Sequence, residues 1–136
     1  MTYNEKKRFL EQYGYSVRRI SMLKEEYEEW ETIGTNITQK FSNTPVQVSG
    51  NRSRVEQCAV HLANIQKAIL QEMQEAEYTR NEIEQAINCI KDSRRRELIQ
   101  MRYIKDMPVW KIARKIDKDE DNVYKTIRRT IKIMDI

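Results

Sequence analysis

An apolar residue recurs at every seventh position between residues 51 and 91, and this repeat restricts the stretch to a long amphipathic helix. The members of the series are Val55, Leu62, Ile69, Ala76, Ile83 and Ile90. A seven-residue apolar repeat is typical of a helix that packs lengthwise against another helix. At 1.5 Å per residue the helix would be roughly 55–60 Å long, so it needs a partner of comparable length.

A second heptad pattern, in residues 3–33, supplies such a partner. One seam position holds Phe9, Ser16, Leu23 and Trp30, and the other holds Tyr13, Ile20 and Tyr27. We therefore predict antiparallel helices over Tyr3–Ile33 and Asn51–Lys91. Asn51 or Ser53 is the expected N-cap of the second helix, because Glu56 stands at capping-box spacing from Ser53. Pairing within one chain and pairing between two chains both satisfy the pattern.

Residues 34–50 interrupt the helical pattern. Gly34 and Gly50 stand at the two ends, Pro45 lies inside, and Thr, Ser and Asn are frequent. Glycine and proline are the strongest breakers of regular structure, so this composition predicts a connecting loop. The sequence leaves open whether the loop is ordered.

The final third of the chain has the order of elements found in a helix-turn-helix domain. A helix from Ser93 is followed by a turn, a short helix near Pro108, a second turn and a last helix over residues 119–134. Proline suits the first turn of a helix, where its missing N–H costs nothing. Asp119 is a favourable N-cap for the last helix.

Positive charge is concentrated in the same third. From Ser93 onward there are 13 Lys and Arg against 7 Asp and Glu, whereas residues 1–92 hold 12 against 14. Only three glycines and two prolines occur in the whole chain, which favours long helices over sheets. We predict an all-α fold in which a long antiparallel helical hairpin, residues 1–92, precedes a helix-turn-helix DNA-binding domain, residues 93–136.

The last helix separates into an apolar face and a basic face. The apolar face holds Val123, Ile127, Thr130, Ile131 and Met134, and the opposite face holds Asp121, Lys125, Arg128 and Lys132, flanked by Asn122, Tyr124 and Arg129. A helix that reads DNA needs this arrangement, because apolar side chains fix it to its domain while cationic and amide side chains reach phosphates and base edges. Asn122 and Lys125 are the candidates for base edges. We expect Arg128, Arg129 and Lys132 to reach bases or backbone.

Basic residues outside the last helix are candidates for phosphate contacts. They are Arg94, Arg95, Lys111, Arg114 and Lys115. The acidic run at residues 119–121 lies at the end of the helix that would enter the groove, and we interpret it as capping. Tyr103 and Trp110 are interpreted as packing or protein-contact residues rather than as a platform for stacked bases.

Other function classes have little support in the sequence. His61 is the only histidine, Cys58 and Cys89 have no metal-binding spacing, and no glycine-rich phosphate loop occurs. We therefore expect neither an enzyme nor a protein that carries a metal or another cofactor. The chain has no apolar run as long as a membrane span, and its first residues lack the apolar core of a signal peptide. We expect a cytoplasmic protein with no membrane partner.

The segments RELIQMRYI, KIARKI and NVYKTIRRTIKIM resemble the C-terminal domain of sigma factors that reads the promoter −35 element. The shared features are the pair Ile112–Ala113 and a valine, Val123, that is followed by basic residues. The whole chain is similar to phage and prophage transcriptional regulators of the RinA/ArpU type, which are associated with late-operon control. The resemblance implies a sequence-specific DNA-binding regulator that places residues 119–134 in the major groove. Its implied partners are double-stranded DNA, a second copy joined through the long helices, and host RNA polymerase.

Two other interpretations of the same residues stay open. A DNA-packaging adaptor of the phage terminase small-subunit kind also joins a helix-turn-helix element to helical oligomerisation segments. In a protein-interaction module, by contrast, the basic helix would dock on an acidic partner and the protein would bind no DNA.

Overall fold

The computed structural model describes the backbone of residues 1–43 and 48–136, and the side-chain environment of residues 1–37 and 53–136. Across these residues the fold is all-α, as predicted. The helices are α1 (Tyr3–Asn43), α2 (Val48–Asn88), α3 (Ser93–Ile99), α4 (Val109–Ile116) and α5 (Glu120–Ile133). A π-helical segment, Gln100–Ile104, continues α3.

The chain divides into two compact units. Unit 1 comprises Met1–Val17 and Glu75–Ile136, and unit 2 comprises Arg18–Gln74. The predicted domain boundary at residue 92 does not coincide with this packing, because the start of α1 and the end of α2 lie in the same unit as α3, α4 and α5. Heptad spacing identifies the face of a helix that is buried, but not the element that buries it.

In unit 2 the two long helices run antiparallel. Arg19 of α1 lies 3.6 Å from the carboxylate of Glu72, and farther along α1 the carbonyl oxygen of Trp30 accepts a 3.3 Å hydrogen bond from the Cys58 thiol. As the residue number rises on α1, the number of its partner on α2 falls. This order confirms the predicted antiparallel direction of the pair.

The predicted loop over residues 34–50 is wrong for residues 34–43 and 48–50, which are helical. Gly34 lies inside α1 and does not break it. The absence of a side chain is needed here because α2 comes close: a Cβ at this position would lie 2.9 Å from the Cys58 Sγ. Thr35 is also accommodated in the helix, since its hydroxyl donates to the carbonyl oxygen of Glu31 at 2.9 Å. Residues 44–47, which include Pro45, lie outside the described residues.

The predicted ends of the second long helix also need correction. Asn51, Ser53 and Glu56 lie inside α2, which begins at Val48, so the predicted capping box is wrong. The helix ends at Asn88 rather than Lys91. The next backbone bonds, from the Cys89 N–H to Ala86 and from the Ile90 N–H to Ile87, span only three residues. A tightened last turn of this kind is common where a helix ends.

Unit 1 is built around one apolar core to which both long helices contribute. Its most completely enclosed apolar residues are Leu10 of α1, Ile83 and Ile87 of α2, Ile99 of α3, Ile112 of α4 and Ile131 of α5. Three short helices alone enclose little apolar volume, and small domains are correspondingly marginal. The ends of the long helices therefore complete the core of the helix-turn-helix unit.

The predicted seam of α1 is only half right. All seven of its members, at positions 9, 13, 16, 20, 23, 27 and 30, are half-buried. Among residues 3–37 of the helix, the buried residues are Leu10 and Gly14, which lie outside the predicted seam. Leu10 packs in the core of unit 1, so the first turns of α1 present a different face from the one that the heptad pattern indicates.

Candidate nucleic-acid interface

The first helix of the C-terminal segment is fixed at its start by a side-chain cap. The Asp92 carboxylate accepts hydrogen bonds from the backbone N–H groups of Arg94 and Arg95, at 2.9 and 3.4 Å. These N–H groups have no partner within the helix, so the cap satisfies them. Further along, the Lys105 N–H reaches back five residues to the Gln100 carbonyl oxygen at 3.0 Å, which gives this part of the helix its wider turns.

The next two helices, α4 and α5, form the predicted helix-turn-helix pair. Pro108 is the N-cap residue of α4 rather than its first helical residue, and its carbonyl oxygen accepts from the Lys111 and Ile112 N–H groups at 3.1 Å each. The prediction for Pro108 was thus wrong by one position, and the missing N–H still costs nothing.

The turn between α4 and α5 depends on two aspartates. Asp117 has the left-handed backbone conformation, with φ 55° and ψ 50°, and the Lys118 N–H closes the turn onto the Ala113 carbonyl oxygen at 3.0 Å. Asp119 caps α5, as predicted: its carboxylate accepts from the Asn122 N–H at 2.8 Å. Glycine is the usual residue in a left-handed position, and Asp is one of the few others that tolerates it.

The predicted apolar face of α5 is buried. Val123, Ile127, Thr130, Ile131 and Met134 are each at most 6% exposed. The buried hydroxyl of Thr130 donates to the Thr126 carbonyl oxygen at 2.7 Å, so this polar atom is satisfied inside the core. Met134 is the residue that ends the helix, and it is packed as well. This face therefore fixes the orientation of α5 about its own axis.

The predicted basic face of α5 is exposed. Asp121, Asn122, Tyr124, Lys125, Arg128, Arg129 and Lys132 are all solvent-exposed. Because the opposite face is enclosed by the core, the cationic side chains are directed away from the protein. A surface of this kind attracts phosphate groups and leaves long side chains able to reach base edges.

The residues of α4 that were predicted to contact phosphates are exposed too. Lys111, Arg114 and Lys115 are solvent-exposed. The Arg114 guanidinium carbon lies 5.7 Å from the centre of the Trp110 ring, within cation–π range. Trp110 is 52% exposed, so it is a surface residue of this unit and not part of its core. Tyr103 is buried, in agreement with its interpretation as packing, and burial raises its pKa to about 12.

A groove brings the start of α3 next to the start of α5. It has a volume of about 390 Å³ and is lined by Arg94, Arg95, Lys118 and Asn122, with Leu98 and Val123 among its apolar residues. Lys118 was missed in the sequence, because it falls in a turn and on neither face of a helix. Arg95 is only half-exposed and lies 3.8 Å from the Asp92 carboxylate, so Arg94 is the more available of the two predicted arginines.

The start of α1 meets the other end of α5. The Lys6 Nζ donates to the carbonyl oxygens of Lys132, at 3.1 Å, and Met134. The Arg128 guanidinium carbon lies 5.5 Å from the centre of the Tyr3 ring. Neither Lys6 nor Tyr3 was predicted, and no local signal in the sequence points to a contact between residues more than 120 positions apart. The predicted residues of α5 thus have two different sets of neighbours, Arg94 and Lys118 at its start, and Tyr3 and Lys6 at its end.

Metal sites and membrane-spanning helices are both absent from the part of the chain that the structure describes. In residues 1–37 and 53–136, whose side chains are described, no three or more His, Cys, Asp or Glu are grouped so that they could hold a metal ion. In the same residues, every helix is too short or too polar to cross a bilayer.

Comparison with known proteins identifies a family. The chain belongs to the family described as "Protein of unknown function (DUF1492)", which matches residues 37–135. No curated protein and no solved structure matches the chain. The family description names no activity.

Proposed function

We propose that the protein is a sequence-specific DNA-binding transcriptional regulator of a phage or prophage, of the late-operon activator type. The observation that supports this proposal most strongly is the division of α5 into two faces. One face is enclosed by the core, and the other exposes Lys125, Arg128, Arg129 and Lys132. In a helix-turn-helix protein this second helix enters the major groove. In this proposal the protein acts in the cytoplasm of the bacterial host.

We assign separate roles to the polar and basic residues of this surface. Asn122 and Lys125, near the start of α5, read base edges, because amide and ammonium groups match the donors and acceptors of the major groove. Arg128, Arg129 and Lys132 contact bases or backbone, with Tyr124 beside them. Phosphate contacts come from Arg94, Arg95, Lys111, Arg114 and Lys115. The carboxylate of Asp119 has its capping role.

A salt titration of DNA binding tests the proposal. Fluorescence anisotropy is measured with duplexes that cover the promoters of the phage genome encoding the chain, starting from about 50 mM salt. The double variant Lys125→Glu and Arg128→Glu is expected to lose at least about 30-fold in affinity, since each removed contact is typically worth 1–3 kcal/mol.

The matched control is Lys24→Glu with Lys67→Glu, which changes the net charge by the same amount on exposed residues of unit 2. We expect this control to retain most of the affinity. The proposal is contradicted if the wild-type chain binds no duplex at low salt, or if both double variants bind equally well.

Self-association through the long helices is part of the proposal. Within unit 2, Met22, Val60, Leu70 and Met73 are each at least 47% exposed, and apolar surface of this kind favours contact with another protein surface. A dimer fits a regulator that reads two half-sites, and host RNA polymerase is the second proposed partner of the long helices.

The same exposed apolar residues favour one alternative, a DNA-packaging adaptor of the terminase small-subunit kind, because such an adaptor assembles through helical segments. Light scattering of the full chain separates the two functions. A dimer mass supports the regulator, and a ring of many subunits supports the packaging adaptor.

A further inference from the structure

The first turns of α1 hold the C-terminal end of α5 in place. The last carbonyl groups of a helix have no partners within it, and they form the negative end of the helix dipole. The ammonium group of Lys6 donates to two carbonyl oxygens at this end, those of Lys132 and Met134. A cation at this position both satisfies the carbonyl groups and is attracted by the dipole.

A second contact from α1 acts on a side chain of the exposed face. Tyr3 is half-buried and packs against the core of unit 1. Its ring lies 5.5 Å from the Arg128 guanidinium carbon, which is a cation–π distance. The ring restricts the guanidinium to one region of the surface, while Arg128 itself stays exposed. Tyr3 therefore limits the directions in which Arg128 extends.

Tyr3 and Lys6 both belong to the first turns of α1, which are themselves fixed in the core. Leu10, one helical turn after Lys6, is fully buried in the same core as Ile127 and Ile131 of α5. The start of α1 is thus anchored independently of the two contacts that it makes with α5.

We propose that Tyr3 and Lys6 are positioning residues that set the sequence specificity of DNA reading, while contributing little to general affinity for DNA. This inference rests on the proposed function. The Lys6 ammonium is directed at backbone carbonyl oxygens of the protein itself, so it adds no phosphate contact. Base-edge hydrogen bonds depend steeply on distance and angle, whereas phosphate attraction tolerates a small shift of the helix. Loosening α5 therefore weakens the base-edge hydrogen bonds and spares the attraction to phosphates.

The test compares specific and non-specific binding in Lys6 variants of the full chain. A duplex preferred by the wild type is obtained by selection from a random-sequence library, and a shuffled duplex of the same composition serves as the non-specific probe. Anisotropy gives both affinities at several salt concentrations. The variants are Lys6→Met, Lys6→Arg, which retains donors for the carbonyl oxygens, and Lys7→Met, which removes a neighbouring exposed charge 3.9 Å from Glu11.

Lys6→Met is expected to lower the ratio of specific to non-specific affinity about tenfold, with the slope of log K against log salt unchanged. Lys6→Arg and Lys7→Met are both expected to keep the ratio of specific to non-specific affinity at the wild-type value. The inference is overturned if Lys6→Met leaves the ratio unchanged, or if its slope falls by about 1, which is the signature of a lost phosphate contact.

A Tyr3 variant and the wild-type chain itself provide additional measurements. Tyr3→Leu retains an apolar side chain but removes the ring, and it is expected to lower the ratio by about threefold without changing the slope. If Lys6→Met does not fold, as judged by circular dichroism, Tyr3→Leu decides the question by the same criteria. A wild-type chain that binds every duplex equally overturns the inference and the sequence specificity of the proposed function, while leaving general DNA binding intact. A wild-type chain that binds no duplex overturns the proposed function, and the inference with it.

Discussion

The carboxylate of Asp119 accepts a hydrogen bond of 2.8 Å from the backbone N–H of Asn122. This bond fixes the start of α5 and places a negative charge beside the residues proposed to read bases. Asp119→Ala removes both features, and it should lower the free energy of unfolding by about 1 kcal/mol. Asp119→Ser retains the cap and should keep the stability.

Both Asp119 variants remove a charge that repels phosphates, so both are expected to bind the shuffled, non-specific duplex more tightly than the wild type. Urea denaturation measures the stability, and anisotropy measures the affinity. Equal losses of stability in the two variants would show that the cap does not stabilise α5. Weaker DNA binding in both would give Asp119 a direct role in reading the duplex.

The left-handed residue in the turn predicts a dependence on side-chain shape. Asp117 has φ 55°, a conformation in which a branched side chain is strained by roughly 1–2 kcal/mol. We expect Asp117→Val to lower the free energy of unfolding by about this amount, and Asp117→Gly not to lower it. Urea denaturation of the two variants, with Asp117→Asn as the isosteric control, provides the measurement. A stable Val variant would contradict the turn geometry.

The close approach of Gly34 and Cys58 predicts a reversal of sign in a double-mutant cycle. A Cβ at position 34 would lie 2.9 Å from the Cys58 Sγ, so Gly34→Ala should destabilise unit 2 even though alanine is the better helix former. In a Cys58→Ala background the obstacle is gone. There, Gly34→Ala should stabilise the protein by up to about 1 kcal/mol, the difference in helix propensity. Thermal denaturation of the four proteins tests this, and additive effects would contradict it.

The buried Tyr103 predicts part of the alkaline unfolding of the protein. Burial raises the pKa of Tyr103 from 10.0 to about 12. The unfolded chain releases this proton first, so the stability from this group is complete below pH 10 and is lost as the pH rises towards 12. The loss amounts to roughly 2–3 kcal/mol.

Tyr103→Phe keeps the ring and removes the ionisation. Its free energy of unfolding should therefore fall less steeply between pH 10 and pH 12 than that of the wild type. Lysine side chains titrate in both proteins, so they do not affect the difference between the two curves. Urea denaturation at a series of alkaline pH values supplies the comparison, and parallel curves would contradict the assignment.

The parts of the structure that follow from local pattern were predictable from the sequence. The two faces of α5 arise from the helical period of residues such as Val123, Lys125 and Ile127, and the cap at Asp119 arises from residue type and position. Both features need only residues within a few positions of each other. The all-α fold follows in the same way, from heptad spacing and the scarcity of glycine and proline.

The parts that depend on distant contacts were not predictable. Gly34 was expected to end the helix, because glycine is a poor helix former. The close approach of Cys58 explains why a glycine stands inside α1 instead. The contacts of Tyr3 and Lys6 with α5 join the two ends of the chain, and nothing in their local sequence distinguishes them from surface residues. The shared core of unit 1 was missed for the same reason, since periodicity does not identify the partner of a buried face.

Lysine acetylation footprinting of the full chain, with and without the selected duplex, tests the central claim most directly. The reagent modifies exposed amines, and mass spectrometry compares each lysine in the two states. If α5 lies in the major groove, Lys125 and Lys132 should be acetylated much more slowly in the presence of the duplex, while Lys24 and Lys67 of unit 2 keep their rates. Unchanged rates at Lys125 and Lys132 with a bound duplex, or protection confined to unit 2, would contradict the account.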